Sequence, residues 1–419
     1  MKEQDDKDKS ALGPYRVMDL TDEKGMLCGW VLASLGADVI KVEPPGGDNA
    51  RNTPPFYNDI PHPEKSLHYF AQNANKKSIT LNTGTPDGRI LFKKLVKNTD
   101  FVIESFEPGH MDNLGLGYSD LSNINPRIIM TSITPFGQAG PYSNYKPSDI
   151  MCSAMSGFMY LTGDPDSAPL RISVPQAYSL GSTEAAVATM IAHYCRERTG
   201  EGQYVDVSIR DAMVKATPFS LPAWEQHGTI MKRGGAYWTL RGGKNRALWP
   251  CKDGAVSFAL HGAAVGAKTN PKLMEWMDSK GMSSDYLKSI DWHNLDMAAV
   301  TPELYREIEV TVGKFFMAHT KKELDEGASA RGIILSPVST IEEVTMSPQL
   351  KARDFWEEVE HPELETTITY PGAFIKASET PCMKTVRAPH IGEHNEEIYI
   401  DELGISKEEL TIMKASKVI

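Results

Sequence analysis

Residues 36–48 read GADVIKVEPPGGD, and this stretch decides how the chain folds. The β-branched run Asp38 to Glu43 predicts a strand, and the Pro-Pro-Gly-Gly sequence that follows ends it. A helix is predicted just upstream, from Gly29 to Leu35, because Gly36 is the kind of residue that stops helices. Tyr15 to Leu20 predicts an earlier strand. Strand, helix and strand in this order indicate a parallel α/β sheet.

The same alternation continues downstream. Further strands are predicted at Ser78 to Leu81, Phe101 to Glu104, Ile128 to Ser132 and Tyr204 to Ile209. Helices are predicted from Pro86 to about Lys97 and from Gly181 to Arg198, the latter rich in alanine. Strands joined by helices of this length predict a doubly wound sheet, in which ligands lie beyond the carboxyl ends of the strands.

The composition divides the chain into two domains. From about Pro218 onward, glycine-rich loops precede a charged and largely helical region. The sequence therefore predicts a large domain over 13–224 and 336–419 and a small α+β domain over 225–335. Residues 1–12 are predicted to be a disordered tail, since the first ten are mostly charged and carry no apolar stretch.

Charge and cysteine content limit the classes of function. Lys and Arg number 44 against 55 Asp and Glu, so the formal net charge is -11. Such a chain repels nucleic acid and anionic membranes, which favours a small-molecule enzyme. The apolar runs are too short to span a bilayer. The five cysteines lie far apart with no CxxC pair, which predicts reduced thiols in a cytoplasmic protein and no metal site.

Several short motifs follow one another along the chain. They read GADVIKVEPPGGD at 36–48, NKKS at 75–78, FEPG at 106–109, LGLGY at 114–118, NPR at 125–127, FGQAGPY at 136–142, RTGEGQ at 198–203 and APHIGEHN at 388–395. In this order they resemble the family III CoA-transferases, from about Tyr15 to Ile419. The resemblance implies a large Rossmann-like domain, a small domain, and two chains threaded through each other as interlocked rings. It also implies CoA or acyl-CoA as a substrate, with no permanently bound cofactor.

CoA brings phosphates, an adenine ring and a long pantetheine arm. Phosphates bind cations or backbone N–H groups, and glycine turns after strands let the backbone approach closely. The CoA-binding residues that the resemblance implies are Asn75, Lys77, Phe106, Pro108, Gly109, Gly137, Gln138 and Lys146. For the two lysines the alternative is a solvated surface charge, for Phe106 a core position, and for Gly137 a plain tight turn.

The family's catalytic residue is missing from its usual position. Family III transferases use one aspartate, whose carboxylate attacks the donor thioester and itself becomes the acyl group of an enzyme-bound CoA thioester. The resemblance places that aspartate in the loop before the alanine-rich helix, where this chain reads PQAYSLG at 175–181 and carries Tyr178. The family's racemases need a histidine as well as this aspartate. The histidine position is Ser148 here, so racemase activity is disfavoured.

Two other acids are candidates to replace the aspartate. Glu184 follows Tyr178 by about one and a half helical turns, and its alternative role is to interact with the helix dipole. Asp149 fits a family pattern of an acid near the reaction centre, and its alternative role is to accept hydrogen bonds from backbone amides. The first CoA loop also departs from the family, since Lys24-Gly25-Met26 follows a segment one residue shorter. Ser105 and Asn113 stand where many members carry asparagine and arginine.

The sequence therefore favours a non-catalytic subunit of a heteromeric CoA-transferase, paired with a homologous chain that keeps the aspartate. Among heteromeric members, the resemblance points to a heterotetramer that moves CoA from succinyl-CoA to (R)-benzylsuccinate in anaerobic toluene degradation. One alternative is a stand-alone enzyme for CoA thioesters that uses Asp149, Glu184 or Tyr178. Another is a CoA-binding protein without catalysis.

Overall fold

The computed structural model describes residues 9–146, 148–240, 243–296 and 300–419. Residues 1–8 of the predicted disordered tail lie outside the described part. For the end of that tail the prediction is wrong, because Leu12 is buried and its N–H donates to the carbonyl of Leu35 at 2.9 Å. Burial of an apolar side chain and a backbone hydrogen bond fix this segment against the large unit.

Six parallel strands form the central sheet, in the order β3-β2-β1-β4-β5-β6. The strands are β1 Arg16–Leu20, β2 Asp38–Glu43, β3 Lys77–Thr80, β4 Phe101–Glu104, β5 Ile129–Thr134 and β6 Tyr204–Ser208. Val17 of β1 lies beside Val39 on one side and Phe101 on the other. This order confirms the predicted doubly wound sheet. Strands β2 and β3 lie on one side of β1 and strands β4 to β6 lie on the other, so the strand order reverses between β1 and β4.

Helices lie between and after these strands along the chain. They are α1 Met26–Ser34, α2 Leu67–Asn73, α3 Pro86–Val96, α4 His110–Asn113, α5 Tyr118–Ile124, α6 Asp149–Met155, α7 Ala177–Thr199, α8 Ile209–Lys215, α9 Ser220–His227, α10 Ala263–Ser279, α11 Asp285–Lys288, α12 Pro302–Met317, α13 Lys321–Arg331, α14 Ile341–Thr345, α15 Pro348–Ala352 and α16 Lys407–Ala415, with a π-helix at Glu397–Glu402. Short 3-10 turns lie at Asn49–Asn52, Tyr57–Asp59, Met159–Leu161 and Pro362–Leu364. No helix within the described ranges is long and apolar enough to cross a bilayer.

Helix α7 packs on one face of the sheet through small residues. Ala185 and Ala186 lie against the buried β-branched side chains of the strands, together with Ala192. Gly181 lies close to the first residue of α8, since a Cβ there would lie 2.6 Å from Cγ1 of Ile209. The opposite face is covered by α3, α5 and the C-terminal helices. The alanine-rich sequence therefore sets how closely α7 lies on the sheet.

The C-terminal segment returns to the edge of the sheet at β3. The Asn395 amide accepts from the N–H of Thr80 and donates to its Oγ1, and the hydroxyl of Tyr399 donates to the Thr80 carbonyl. Glu402 pairs with Arg16 at the start of β1. These contacts tie residues more than 300 positions apart into one unit.

A second compact unit comprises residues 159–170 and 226–348. Its strands are β7 Tyr237–Leu240, β8 Gly243–Arg246, β9 Leu248–Cys251, β10 Gly254–Phe258 and β11 Leu335–Pro337, and the hairpin β12 Trp356–His361 with β13 Thr366–Pro371 belongs to the large unit. Strands β9, β10 and β11 form an antiparallel sheet around the buried Trp249. Arg233 donates to the carbonyls of Asp164 and Ser167 and so holds 159–170 to this unit. The domain boundaries at 225 and 335 stay predictions.

Candidate functional site

A buried ion cluster lies beneath residues 21–25, which we call the first loop. Asp19 of β1 is fully buried, and its carboxylate accepts from Lys76 Nζ at 2.8 Å. Lys41 lies on the other side of Asp19 at 4.0 Å and donates to the carbonyl of Thr21. Burial alone would raise the pKa of Asp19, but the two lysines hold it below its usual value. Lys76 is therefore part of the core that supports this loop.

Tyr178 lies in the first turn of α7 and is nearly buried. Its backbone N–H donates to Oδ2 of Asp149 at 3.0 Å. Burial raises the pKa of the phenol, and the neighbouring carboxylate of Glu23 raises it further. Within the described residues the phenol oxygen makes no hydrogen bond. A protonated hydroxyl with this surrounding is a weak nucleophile at neutral pH.

The structure brings one of the two candidate acids to Tyr178. Asp149 is the first residue of α6 and its carboxylate is engaged by the Tyr178 amide, as in a helix cap. Glu184 projects six residues further along α7 and pairs with Lys215 of α8 at 3.2 Å. It lines a small cleft of about 350 Å³ together with Gly137. Glu184 therefore serves a different surface from Tyr178.

Three of the predicted CoA residues line one larger cleft of about 530 Å³, namely Pro108, Gly109 and Gln138. Phe106 lies beside it with its ring 4.5 Å from that of His110. The lining includes Glu104, Glu107 and Asp112, whereas the described residues of the lining include no lysine or arginine. Lys146 is exposed in the loop before α6.

Asn75 and Lys77 lie at the start of β3, the edge strand on the other side of the sheet from β6. Lys77 is the first residue of β3, and its Nζ pairs with Asp38 at 3.1 Å and with Glu397 at 2.7 Å. Asn75 has a left-handed backbone with φ of 64° and accepts from the N–H of Val386. Both side chains are thus engaged within the chain. Their contact with CoA stays a prediction.

Glu104 is a feature of the larger cleft that the sequence reasoning did not single out. It ends β4, is 3% exposed, and accepts from the N–H of Phe106 at 2.7 Å. The sheet register places it beside Ser132, whose Oγ accepts from the Tyr204 hydroxyl at 2.9 Å. Burial raises the pKa of Glu104 to about 7. The signal available was a carboxylate at the end of an otherwise apolar strand.

The described ranges contain no cluster of three or more His, Cys, Asp or Glu side chains arranged to hold a metal ion.

The family model of CoA-transferase family III matches residues 13–395. The chain belongs to this family. The motifs that indicated the resemblance are therefore motifs of the family, and membership supports an enzymatic role in CoA transfer.

Relatives of known activity align over nearly the whole chain. The BbsE subunit of succinyl-CoA:(R)-benzylsuccinate CoA-transferase from Thauera aromatica is 35% identical, over 92% of this chain and 93% of that protein. Succinyl-CoA--D-citramalate CoA-transferase from Chloroflexus aurantiacus is 30% identical, with 94% of each chain covered. Among solved structures, a CaiB/BaiF family protein from Brucella suis matches with a TM-score of 0.78 at 28% identity, covering 94% of this chain and 98% of that one.

Proposed function

We propose that this family III chain is a non-catalytic subunit of a heteromeric CoA-transferase. The partner is a homologous chain with aspartate at the position of Tyr178, and the two chains interlock. The complex moves CoA from succinyl-CoA to an organic acid such as (R)-benzylsuccinate, and it works in the cytoplasm. The substrates follow from the similarity to BbsE, which is named as a subunit of a transferase for these compounds.

Tyr178 is the observation that carries the proposal. The transferase reaction needs a protein carboxylate that becomes the acyl group of the CoA thioester, and a phenol cannot take that role. Burial and nearby carboxylates raise the pKa of Tyr178, so its hydroxyl stays protonated. The chemistry is therefore assigned to the partner.

An exposed apolar stripe on α7 supports assembly with a second chain. Val187, Ile191 and Tyr194 are 52%, 65% and 67% exposed and follow one another at helical spacing. Phe219 and Trp224 of the same unit are also exposed. Contiguous apolar surface of this kind marks an interaction site in a folded protein. A homologous chain threaded through this one would cover it.

A stand-alone enzyme is the second candidate, and the position of Asp149 favours it. This carboxylate lies beside the family's catalytic position, whereas Glu184 does not. Its hydrogen bond to the Tyr178 amide, however, already gives it a structural task. A CoA-binding protein without catalysis would share the same geometry and differ only in lacking an active partner.

Co-expression with a homologous subunit that keeps the aspartate tests the proposal. We expect the two chains to co-purify as one complex, with the chain alone aggregating because its apolar stripe is exposed. Ile191→Lys should abolish co-purification by placing a charge on the stripe. Ile412→Lys is the matched control, since Ile412 is 66% exposed on α16. If the chain alone is monodisperse in light scattering and active as a transferase, the heteromer is refuted.

A further inference from the structure

The first loop and the end of β4 flank the point where the strand order reverses. In doubly wound sheets this is where a crevice opens between two loops and admits a ligand. Here the two sides are bonded to each other. The N–H of Asp22 donates to Oγ of Ser105 at 2.8 Å, and Ser105 Oγ donates back to Oδ1 of Asp22 at 2.8 Å. Ser105 is 2% exposed, whereas the Asp22 side chain is 42% exposed, so the pair has a buried side at β4 and a solvent-facing side on the first loop.

Asp22 is also fixed within its own loop. Its carboxylate accepts from the N–H of Lys24 at 3.0 Å and pairs with the ammonium group of the same lysine. Its carbonyl accepts from the N–H groups of Gly25 and Met26, which begins α1. Ser182 Oγ of α7 donates to the carbonyl of Lys24 at 2.9 Å. The loop is thereby held against both β4 and α7, with little freedom to open.

The charge on this loop is unfavourable for an anion. Asp22 pairs with Lys24, the one cation of the first loop, and Glu23 of the same loop acts on Tyr178 as a second carboxylate. Burial raises the pKa of Glu23, and the carboxylates of Asp22 and Asp149 raise it further, which shows that negative groups gather here. The phosphates of CoA would enter a region of the same sign.

We infer that the Asp22–Ser105 pair closes this chain's own crevice and thereby prevents CoA from binding there. The pair spans the crevice, and Asp22 both bridges the two loops and cancels the nearby lysine. The inference rests on the proposed function, because it explains why one chain of the heteromer would leave the binding of CoA to the other chain. Tyr178 stands in place of the nucleophile, whereas the Asp22–Ser105 pair prevents the binding of CoA.

Titration calorimetry with CoA on the purified complex tests the inference. The wild-type complex should bind one CoA per pair of chains, and Asp22→Ala with Ser105→Ala should bind two. The gain at the opened site should exceed about tenfold in affinity. Glu201→Gln is the control, because it removes a charge just before the start of β6, an edge strand, whereas the Asp22–Ser105 pair lies beyond the ends of the central strands β1 and β4.

The outcomes separate the two claims. One site in both wild type and double variant would overturn the role of the Asp22–Ser105 pair and leave the silent subunit standing. Two CoA sites of equal affinity in the wild-type complex would refute the claim that this chain's own pocket does not bind CoA. If the double variant does not fold, Ser105→Ala replaces it, since it removes both hydrogen bonds of the pair and keeps the contacts of Asp22 with Lys24. That variant must raise the affinity in part, and an unchanged affinity contradicts the inference.

Discussion

Replacing Glu104 with glutamine tests the electrostatics of the larger cleft. The pKa of this carboxyl rises from 4.5 to about 7 because the group is buried at the end of β4. A tenfold change in proton affinity is worth about 1.4 kcal/mol, so an ionised Glu104 costs the folded chain about 3 kcal/mol. Glutamine keeps an oxygen for the N–H of Phe106, which lies at 2.7 Å, and it does not titrate.

The sign of the pH dependence follows from which state holds the proton. Between pH 4.5 and about 7 the folded chain keeps the proton on Glu104, whereas the unfolded chain has released it. The free energy of unfolding therefore falls as the pH rises through this window, and the full penalty applies above it. The stability of Glu104→Gln should lack this decline.

Thermal unfolding of parent and variant from pH 5 to pH 8 measures the effect. The variant's advantage should grow by about 2–3 kcal/mol across this range, or about 3–5 °C in Tm for a unit of this size. Glu360→Gln, at an exposed position of β12, should show a constant difference from the parent. An advantage of Glu104→Gln that does not change with pH would refute the raised pKa.

Two further substitutions address the site. Lys76→Met should destabilise the chain by about 3–5 kcal/mol, because it removes the nearer of the two cations that pair with the buried Asp19 and leaves Lys41 at 4.0 Å; denaturant unfolding would show this, and an effect no larger than that of the exposed Lys414→Met would contradict it. Asp149→Ala should cost about 1 kcal/mol of stability by removing the acceptor for the Tyr178 amide, with turnover of the complex nearly unchanged; a loss of turnover of about a hundredfold would favour the stand-alone enzyme.

The central sheet could be predicted because its strands are short, apolar and separated by clear breakers. The predicted strand Asp38 to Glu43 has the observed bounds, and Phe101 to Glu104 does as well. Burial on both faces makes such runs nearly continuous in hydrophobicity. The helix predicted to begin at Gly181 begins at Ala177 instead, because Asp149 caps the Tyr178 amide from a distant segment.

Side-chain roles were harder to predict because they depend on partners far along the chain. Lys76 and Lys77 are neighbours in sequence, yet one is buried against Asp19 and the other pairs with Glu397 near the C-terminus. Lys77 begins β3 and Lys76 directly precedes it, and the sequence does not show which carboxylates receive them. The raised pKa of Glu104 likewise depends on burial at the end of β4, which only the fold supplies.

Identifying the chain that carries the acyl group during turnover is the most direct test of the account. The complex is treated with succinyl-CoA and trapped with hydroxylamine or borohydride, and each subunit is then weighed by mass spectrometry. We expect the label on the partner's aspartate alone, and we expect Tyr178→Phe to leave turnover nearly unchanged. Label on this chain, or a fall in turnover of about a hundredfold in Tyr178→Phe, equivalent to about 3 kcal/mol of transition-state stabilisation, would contradict the silent-subunit account.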